Sequence, residues 1–227
     1  MLKTFNKKKY KIIKKAVSKE MASFLTDYYF LKQHVAAKLF LDGYITADRR
    51  DWGSWVDSQS TSTYGCYGDI SSETLLLNLL PLIEKHSGRK LLPTYSYMRI
   101  YKKGDVLTDH RDRESCEISA TLNLSGEKWP IFFKDGDKPS IKVSLKPGDL
   151  AIYKGCELNH WREAFEGEHC AQVFLHYTRE ENKHLEFDGR GMPGLPGAYG
   201  IGQPFRYVQD QTDVHENMDI LKTKWQK

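Results

Sequence analysis

No stretch of this 227-residue chain approaches the ~20 consecutive apolar residues that a membrane-spanning helix needs. A membrane is therefore not an expected partner. The sequence also lacks a basic-then-apolar leader, so the expected location is cytoplasmic. Cysteine is scarce. Cys66, Cys116, Cys156 and Cys170 are widely scattered and include no C-x-x-C. Nothing demands a disulfide, and free thiols in a reducing cytosol are the plainer reading. Internal repeats are lacking too, apart from three consecutive triplets, Gly191-Met-Pro193, Gly194-Leu-Pro196 and Gly197-Ala-Tyr199. Three are too few for a collagen-type helix, and an extended tail is the simpler expectation.

What is present suits one globular unit. Apolar residues make up 40% and aromatics 12% of the chain. A domain of this length can bury roughly 70–75% of its unfolded surface, enough for a core without disulfides. The net charge of +4 is uneven. Residues 1–20 carry eight lysines against one acid, Glu20, which makes that stretch +7 and leaves about −3 for the remainder. Such a run can contact nucleic acid. Here the lysines continue straight into the apolar pattern Tyr10, Ile12, Ile13, Ala16, Val17. That continuity favours a solvated start to folded structure, and nucleic acid is disfavoured as a partner.

Residues 10–15 alternate loosely and suggest an outer strand. Ser18 is a plausible N-cap for a helix carrying Met21, Phe24, Leu25, Tyr28, Tyr29 and Leu31, running to about Leu41 and ending near Gly43. Residues 50–68 read as a long functional loop in which Tyr64 and Tyr67 alternate with Ser58, Ser60, Ser62 and glycines. A second helix is expected from a Ser72 cap to Gly88, with Pro81 kinking or splitting it. Beyond residue 94 short strands and turn signals follow one another: Tyr95–Tyr101, Glu117–Leu124, Trp129–Phe133, Ile141–Leu145, Leu150–Tyr153 and Cys170–Tyr177. Lys146-Pro-Gly-Asp149 is the strongest of the turns. The pattern is that of a sandwich or jelly roll, with the two helices on one outer face of a sheet.

The chemistry concentrates at His110-Arg111-Asp112 and His160. Residues i and i+2 of a strand share a face, so His110 and Asp112 can converge on one ion while Arg111 points away. His160 follows after several strand-and-turn units and can supply a third ligand. Two imidazoles and one carboxylate suit iron(II) and leave three coordination positions open; zinc, manganese and cobalt also fit. The rival reading makes His110 a strand cap and pairs Asp112 with Arg113.

The segment Tyr97–Tyr177 resembles the core of 2-oxoglutarate/iron(II) dioxygenases, most of all the prolyl 4-hydroxylase-like branch. The matching pieces, in order, are Tyr97-Met-Arg-Ile-Tyr101, His110-Arg-Asp112, Cys116-Glu-Ile-Ser-Ala-Thr-Leu-Asn123, Lys146-Pro-Gly-Asp149-Leu-Ala-Ile-Tyr153, His160 and Gly167-Glu-His-Cys-Ala-Gln-Val-Phe-Leu-His-Tyr177. Their ordered combination is specific, whereas no single piece is. The resemblance implies an α+β fold with a double-stranded β-helix (jelly-roll) core and N-terminal supporting helices. It implies one catalytic domain over 1–227: helical support and loop at 1–93, the core with its metal site at 94–180, and a Gly/Pro-rich extension at 181–227.

The resemblance further implies that His110, Asp112 and His160 are the catalytic iron(II) ligands. 2-Oxoglutarate and dioxygen would be cosubstrates, with ascorbate a candidate auxiliary reductant. A C–H bond of a peptide or protein would be hydroxylated while 2-oxoglutarate is decarboxylated to succinate. Because Asp112 is present, hydroxylation is preferred over halogenation. The distal carboxylate of 2-oxoglutarate needs a cation, since a buried unpaired carboxylate is costly. The family's usual basic position, nine or ten residues after the second histidine, holds His169 or Cys170. Arg162 is the favoured anchor because it is permanently charged and binds carboxylate bidentately; His169 is its rival, and a surface pair of Arg162 with Glu163 or Glu166 is the bland reading. Tyr101 and Thr121 match hydroxyl positions that contact 2-oxoglutarate. Arg113 and Trp161 are weaker candidates for the pocket, and His176 receives no role. Two other functions stay in view: the same core acting on a small metabolite or nucleobase, and a non-catalytic jelly-roll module that binds metal or ligand. The oligomeric state is left open.

Overall fold

The computed structural model describes residues 2–46, 50–56, 59, 60 and 63–197. Ser58, Ser62, Tyr199 and everything beyond Gly197 therefore lie outside the described residues. Two antiparallel sheets organise the rest. The larger contains β1 (Tyr10–Ile13), β2 (Tyr64–Tyr67), β3 (Leu91–Lys102), β5 (Ile118–Gly126), β8 (Leu150–Tyr153) and β10 (His169–Arg179), in the order β1-β8-β5-β10-β3-β2. The smaller has the order β4-β9-β6-β7, from β4 (Leu107–His110), β6 (Ile131–Lys134), β7 (Ile141–Val143) and β9 (Asn159–Arg162). The expected strands are present, Leu150–Tyr153 with the expected bounds and the others with shifted ends, while β2 corrects the expected 50–68 loop because Tyr64–Tyr67 pairs with Tyr97–Ile100 of β3. Two very short ones, β4 and β9, carry the histidines and were not separately legible as strands.

Alternation on β5 explains how the sheet divides its faces. Ile118, Ala120, Leu122 and Leu124 pack with the helices in the main core. Ser119, Thr121 and Asn123 are buried on the other face. The same parity holds on β10, where Ala171, Val173 and Leu175 join the helical core. Between the sheets lie smaller clusters: Phe133, Leu158 and Tyr153 in one, Tyr101, Trp129, Phe165, Cys170 and Phe174 in another.

Helix α1 (Leu2–Lys8) precedes β1. Helix α2 (Lys19–Leu41) begins at the expected Ser18 cap, whose hydroxyl accepts from the Met21 amide. Helix α3 (Ile70–Ser87) corrects the expected cap and is not split at Pro81. Its cap is Asp69, which accepts from the Ser71 amide, and the helix runs through Pro81 to a left-handed Gly88. Asp69 wins over Ser72 because Lys32 and the Tyr28 hydroxyl bind the same carboxylate, at 2.6 and 3.1 Å. Pro81 is tolerated because Leu79 and Ile83, on either side of it, are buried in the core. All four cysteines are free thiols. Among the described residues no helix is long and apolar enough to cross a membrane.

The segment after β10 is fastened rather than loose. Arg190 is buried and pairs with buried Glu73 of α3 at 3.0 Å. Its guanidinium also donates to the carbonyls of Phe187, Thr94 and Leu195. Glu73 accepts in turn from the Ser96 amide and hydroxyl and from the Gly194 amide. Phe187 and Asp188 are held in the left-handed region, at φ 50° and 57°, a conformation that costs about 1–3 kcal/mol per residue. A buried ion pair loses several kcal/mol when one partner is removed, because the other charge stays behind. Arg190→Ala should therefore lower stability by about 3–5 kcal/mol, read from the urea midpoint, and open residues 186–196 to limited proteolysis. An unchanged midpoint would mean that the strap is not anchored there.

Candidate active site

Strands β4 and β9 bring the two histidines face to face. Leu107 pairs with Arg162 and His110 with His160, so three steps on β4 match two on β9. This irregularity bends β4 and re-aims His110. Strand β4 stops at His110, so Asp112 does not share a regular strand with it. Asp112 is placed instead by its own amide, which donates to the Gly155 carbonyl at 3.0 Å. Arg111 points outward, as its parity suggests, and binds Asn159.

One ligand atom from each of His110, Asp112 and His160 lies within 4.8 Å of the others. Nε2 of His110 is 3.6 Å and Nε2 of His160 3.5 Å from Oδ1 of Asp112. The Nδ1 atoms turn away: His110 reaches the Thr108 carbonyl at 2.7 Å and His160 the Leu158 carbonyl at 3.1 Å. Donation from Nδ1–H fixes the tautomer that leaves Nε2 bare, as a metal ligand must be. Burial pulls the His110 imidazole down, but Asp112 and the Thr108 carbonyl outweigh it and hold it above its ordinary value. Burial would raise the Asp112 carboxyl; the two imidazoles win and keep it well below the usual carboxylate range. The donor set fits a divalent ion bound on one face.

A cleft of about 630 Å³ opens over these ligands. Its walls include Tyr67, Tyr95, Tyr97, Phe174 and Arg99. Arg113 also lines it, and its partner is neither Asp112 nor Glu114 but Asp188 of the C-terminal strap, at 2.6 Å. The Tyr67 hydroxyl donates to the same Asp188 oxygen at 2.6 Å. Of the two tyrosines named from the loop, then, Tyr67 faces the cleft, whereas Tyr64 is packed in the core beside Trp55. Trp161 stacks on Phe132 and does not line the cleft.

The four 2-oxoglutarate candidates separate. Arg162 follows His160 by two on β9, and both side chains are buried. Its Nη1 donates to the Trp129 carbonyl, while Nε and Nη2 are buried with no partner. Tyr101 is fully buried, edge-on to Trp129, and receives a 3.2 Å bond from Arg99. Thr121 faces the same interior and donates to Gln172 at 3.2 Å. His169 does not join them: it stands on the helix-side parity of β10, and its ring meets Phe30 edge-on at 5.1 Å. His176, given no role from the sequence, lines the cleft and is stacked on Tyr95 at 4.5 Å. Burial pushes its pKa down to about 4, so it is neutral. Ser119 and Gly155 were also missed, and both touch Asp112. A polar residue inside an apolar strand was the available signal for His176 and Ser119.

A buried guanidinium with two orphaned nitrogens is a liability to the free protein. Burial lowers the Arg162 pKa, yet arginine starts so high that the charge remains. Replacing a poorly paired buried charge with an apolar side chain of similar length often stabilises by about 1–4 kcal/mol. Arg162→Met should accordingly raise the urea midpoint of the protein. A lowered midpoint would show that the single bond to Trp129 outweighs the desolvation.

No family model and no curated protein matches the sequence. Solved structures match the fold. A prolyl-4-hydroxylase from Pseudomonas putida aligns at a TM-score of 0.57 and 12% identity, over 79% of this chain and 97% of that one. A prolyl hydroxylase from Trichoplax adhaerens, solved with a peptide fragment of a hypoxia inducible factor, aligns at 0.59 and 11%, over 81% and 90%. HygX from Streptomyces hygroscopicus, solved with nickel and 2-oxoglutarate, aligns at 0.54 and 13%, over 79% and 86%. The chain thus shares the fold of 2-oxoglutarate–Fe(II) oxygenases, prolyl hydroxylases among them.

Proposed function

We propose that this protein is an iron(II)- and 2-oxoglutarate-dependent oxygenase of the prolyl hydroxylase-like branch, built on a double-stranded β-helix core that forms one catalytic unit with its helices and strap. One observation carries the reading: the orphaned Arg162 guanidinium shares a strand and a face with His160. Two residues of extended chain span roughly 7 Å. A five-carbon dicarboxylate bound to a metal on His160 would therefore have the Arg162 guanidinium on its own side of the strand. His110, Asp112 and His160 would hold the iron. Arg162 would take the distal carboxylate, with the Tyr101 and Thr121 hydroxyls close by.

When bound, iron(II) with 2-oxoglutarate and dioxygen supplies the oxidising power that turns a substrate C–H into C–OH as succinate and carbon dioxide are released. The chain's own contribution is placement. The imidazoles are locked in one tautomer by backbone carbonyls, and the aromatic walls exclude water and offer flat apolar faces to the substrate. A peptide is the favoured substrate class. The cleft is open enough for an extended segment, and the Trichoplax neighbour was solved with a peptide bound. A small metabolite is the second reading.

Adding iron(II) and 2-oxoglutarate without oxygen should produce a weak visible charge-transfer band. His110→Ala should lose it. Succinate should then form only when both iron(II) and dioxygen are supplied. A protein that holds zinc, gives no band and forms no succinate would be a binding module instead. Succinate release across a peptide and metabolite panel separates the two substrate classes.

A further inference from the structure

The two oxygens of Asp112 keep different company. Oδ1 faces both imidazoles. Oδ2 is turned away and accepts a 2.6 Å hydrogen bond from the Ser119 hydroxyl. A hydroxyl has one proton to give. That proton goes to Asp112 at 2.6 Å rather than to the Cys116 carbonyl at 3.3 Å, so the 3.0 Å contact to Nδ1 of His176 makes the imidazole the donor. The relay has one direction: His176 Nδ1–H to Ser119, Ser119 O–H to Asp112 Oδ2.

Each member is fixed independently. Ser119 on β5 and His176 on β10 are paired in register. The His176 ring is stacked on Tyr95, and Tyr95 on Tyr67 at 5.0 Å. Behind the carboxylate stands Gly155. A Cβ there would lie 2.3 Å from Oδ2 and 2.6 Å from the Ser119 oxygen, so backbone closes that side.

We propose that Ser119 and His176 are positioning residues that hold Asp112 to a single metal-binding oxygen. This rests on the triad being the metal site of the function proposed above. A carboxylate can bind a metal through one oxygen or two. A second Asp112 oxygen on the metal would take one of the three positions that a chelating cosubstrate and dioxygen require. With Oδ2 occupied by Ser119 and hemmed in by Gly155, the carboxylate cannot swing both oxygens onto the ion. The relay keeps the third position free.

Manganese(II) alone is a suitable probe, because the relaxation of water protons reports how many waters the bound ion carries. Ser119→Ala should lose about a third of that effect per bound ion, one of three open positions. Its Kd for 2-oxoglutarate should rise roughly tenfold, the size expected when a partner of a metal ligand is removed. Affinity for manganese should hold or tighten. His176→Phe keeps the stack on Tyr95 but loses the donor, and should shift both readouts the same way by less. It also serves if Ser119→Ala does not fold. Weaker manganese binding with unchanged water per ion would mark a merely structural role and overturn the proposal. So would a folded Ser119→Ala within twofold of the parent in both readouts. If the parent ignores 2-oxoglutarate but the variant still loses water, the oxygenase reading falls and the positioning role stands. A parent that binds no manganese sinks both.

Discussion

A carboxylate buried between two sheets must be answered by polar partners, and the structure around Asp112 is arranged to do so. The side chain is only 11% exposed. Burying an ionised group without partners is prohibitive, so the fold places imidazoles before one oxygen and a hydroxyl behind the other. These partners come from far apart in the chain. His160 arrives on β9 of the small sheet, Ser119 on β5 of the large one. The site therefore exists only when both sheets are in place. That dependence also accounts for the polar face of β5. Ser119, Thr121 and Asn123 would be misplaced in a plain sandwich core, but each has a side-chain hydrogen bond: Ser119 to Asp112, Thr121 to Gln172 on the neighbouring strand, and Asn123 to the Leu145 carbonyl.

A second buried charge system ties the C-terminal strap to the same interior. Arg190 and Glu73 fix the strap to α3 and β3, and the strap then delivers Asp188 to Tyr67 and Arg113. Arg113 lies over Tyr95 at 4.6 Å, and Tyr95 backs His176. The wall of the cleft is thus continuous from the strap to His110, Asp112 and His160. Two residues in left-handed backbone are sustained at its outer end. Strain of that kind persists only where the surroundings over-determine it, and here an ion pair and a tyrosine hydroxyl do so.

Which parts were legible in the sequence follows from how local each determinant is. The Ser18 cap, the alternation of β5 and β10 and the Lys146-Pro-Gly-Asp149 turn depend on neighbours within a few residues, and they could be read. The convergence of His110, Asp112 and His160 could be read because their spacing and their flanking motifs agree. The α3 cap could not, because Asp69 and Ser72 are both competent and distant Lys32 decides between them. Asp188 could not, because its partner Arg113 is 75 residues away. His176 was within reach: on β10, the parity that buries Ala171, Val173 and Leu175 among the helices sends Gln172, Phe174 and His176 the other way. The same parity removes His169 from the interior, where counting residues after His160 had left it as a candidate.

The position of Arg162 has a mechanical consequence. A cation on β10 would belong to the large sheet, while His160 belongs to the small one. Its distance to a metal on His160 would then vary with every shift between the sheets. With Arg162 two residues beyond His160 on β9, one stretch of backbone sets that distance. The roughly 7 Å rise of two strand residues changes little under any packing adjustment. The cost is a guanidinium buried beside Trp129 with two nitrogens unanswered. In the proposed oxygenase, selectivity and strain would have one origin, since the group that destabilises the free interior would be the one that recognises the dicarboxylate.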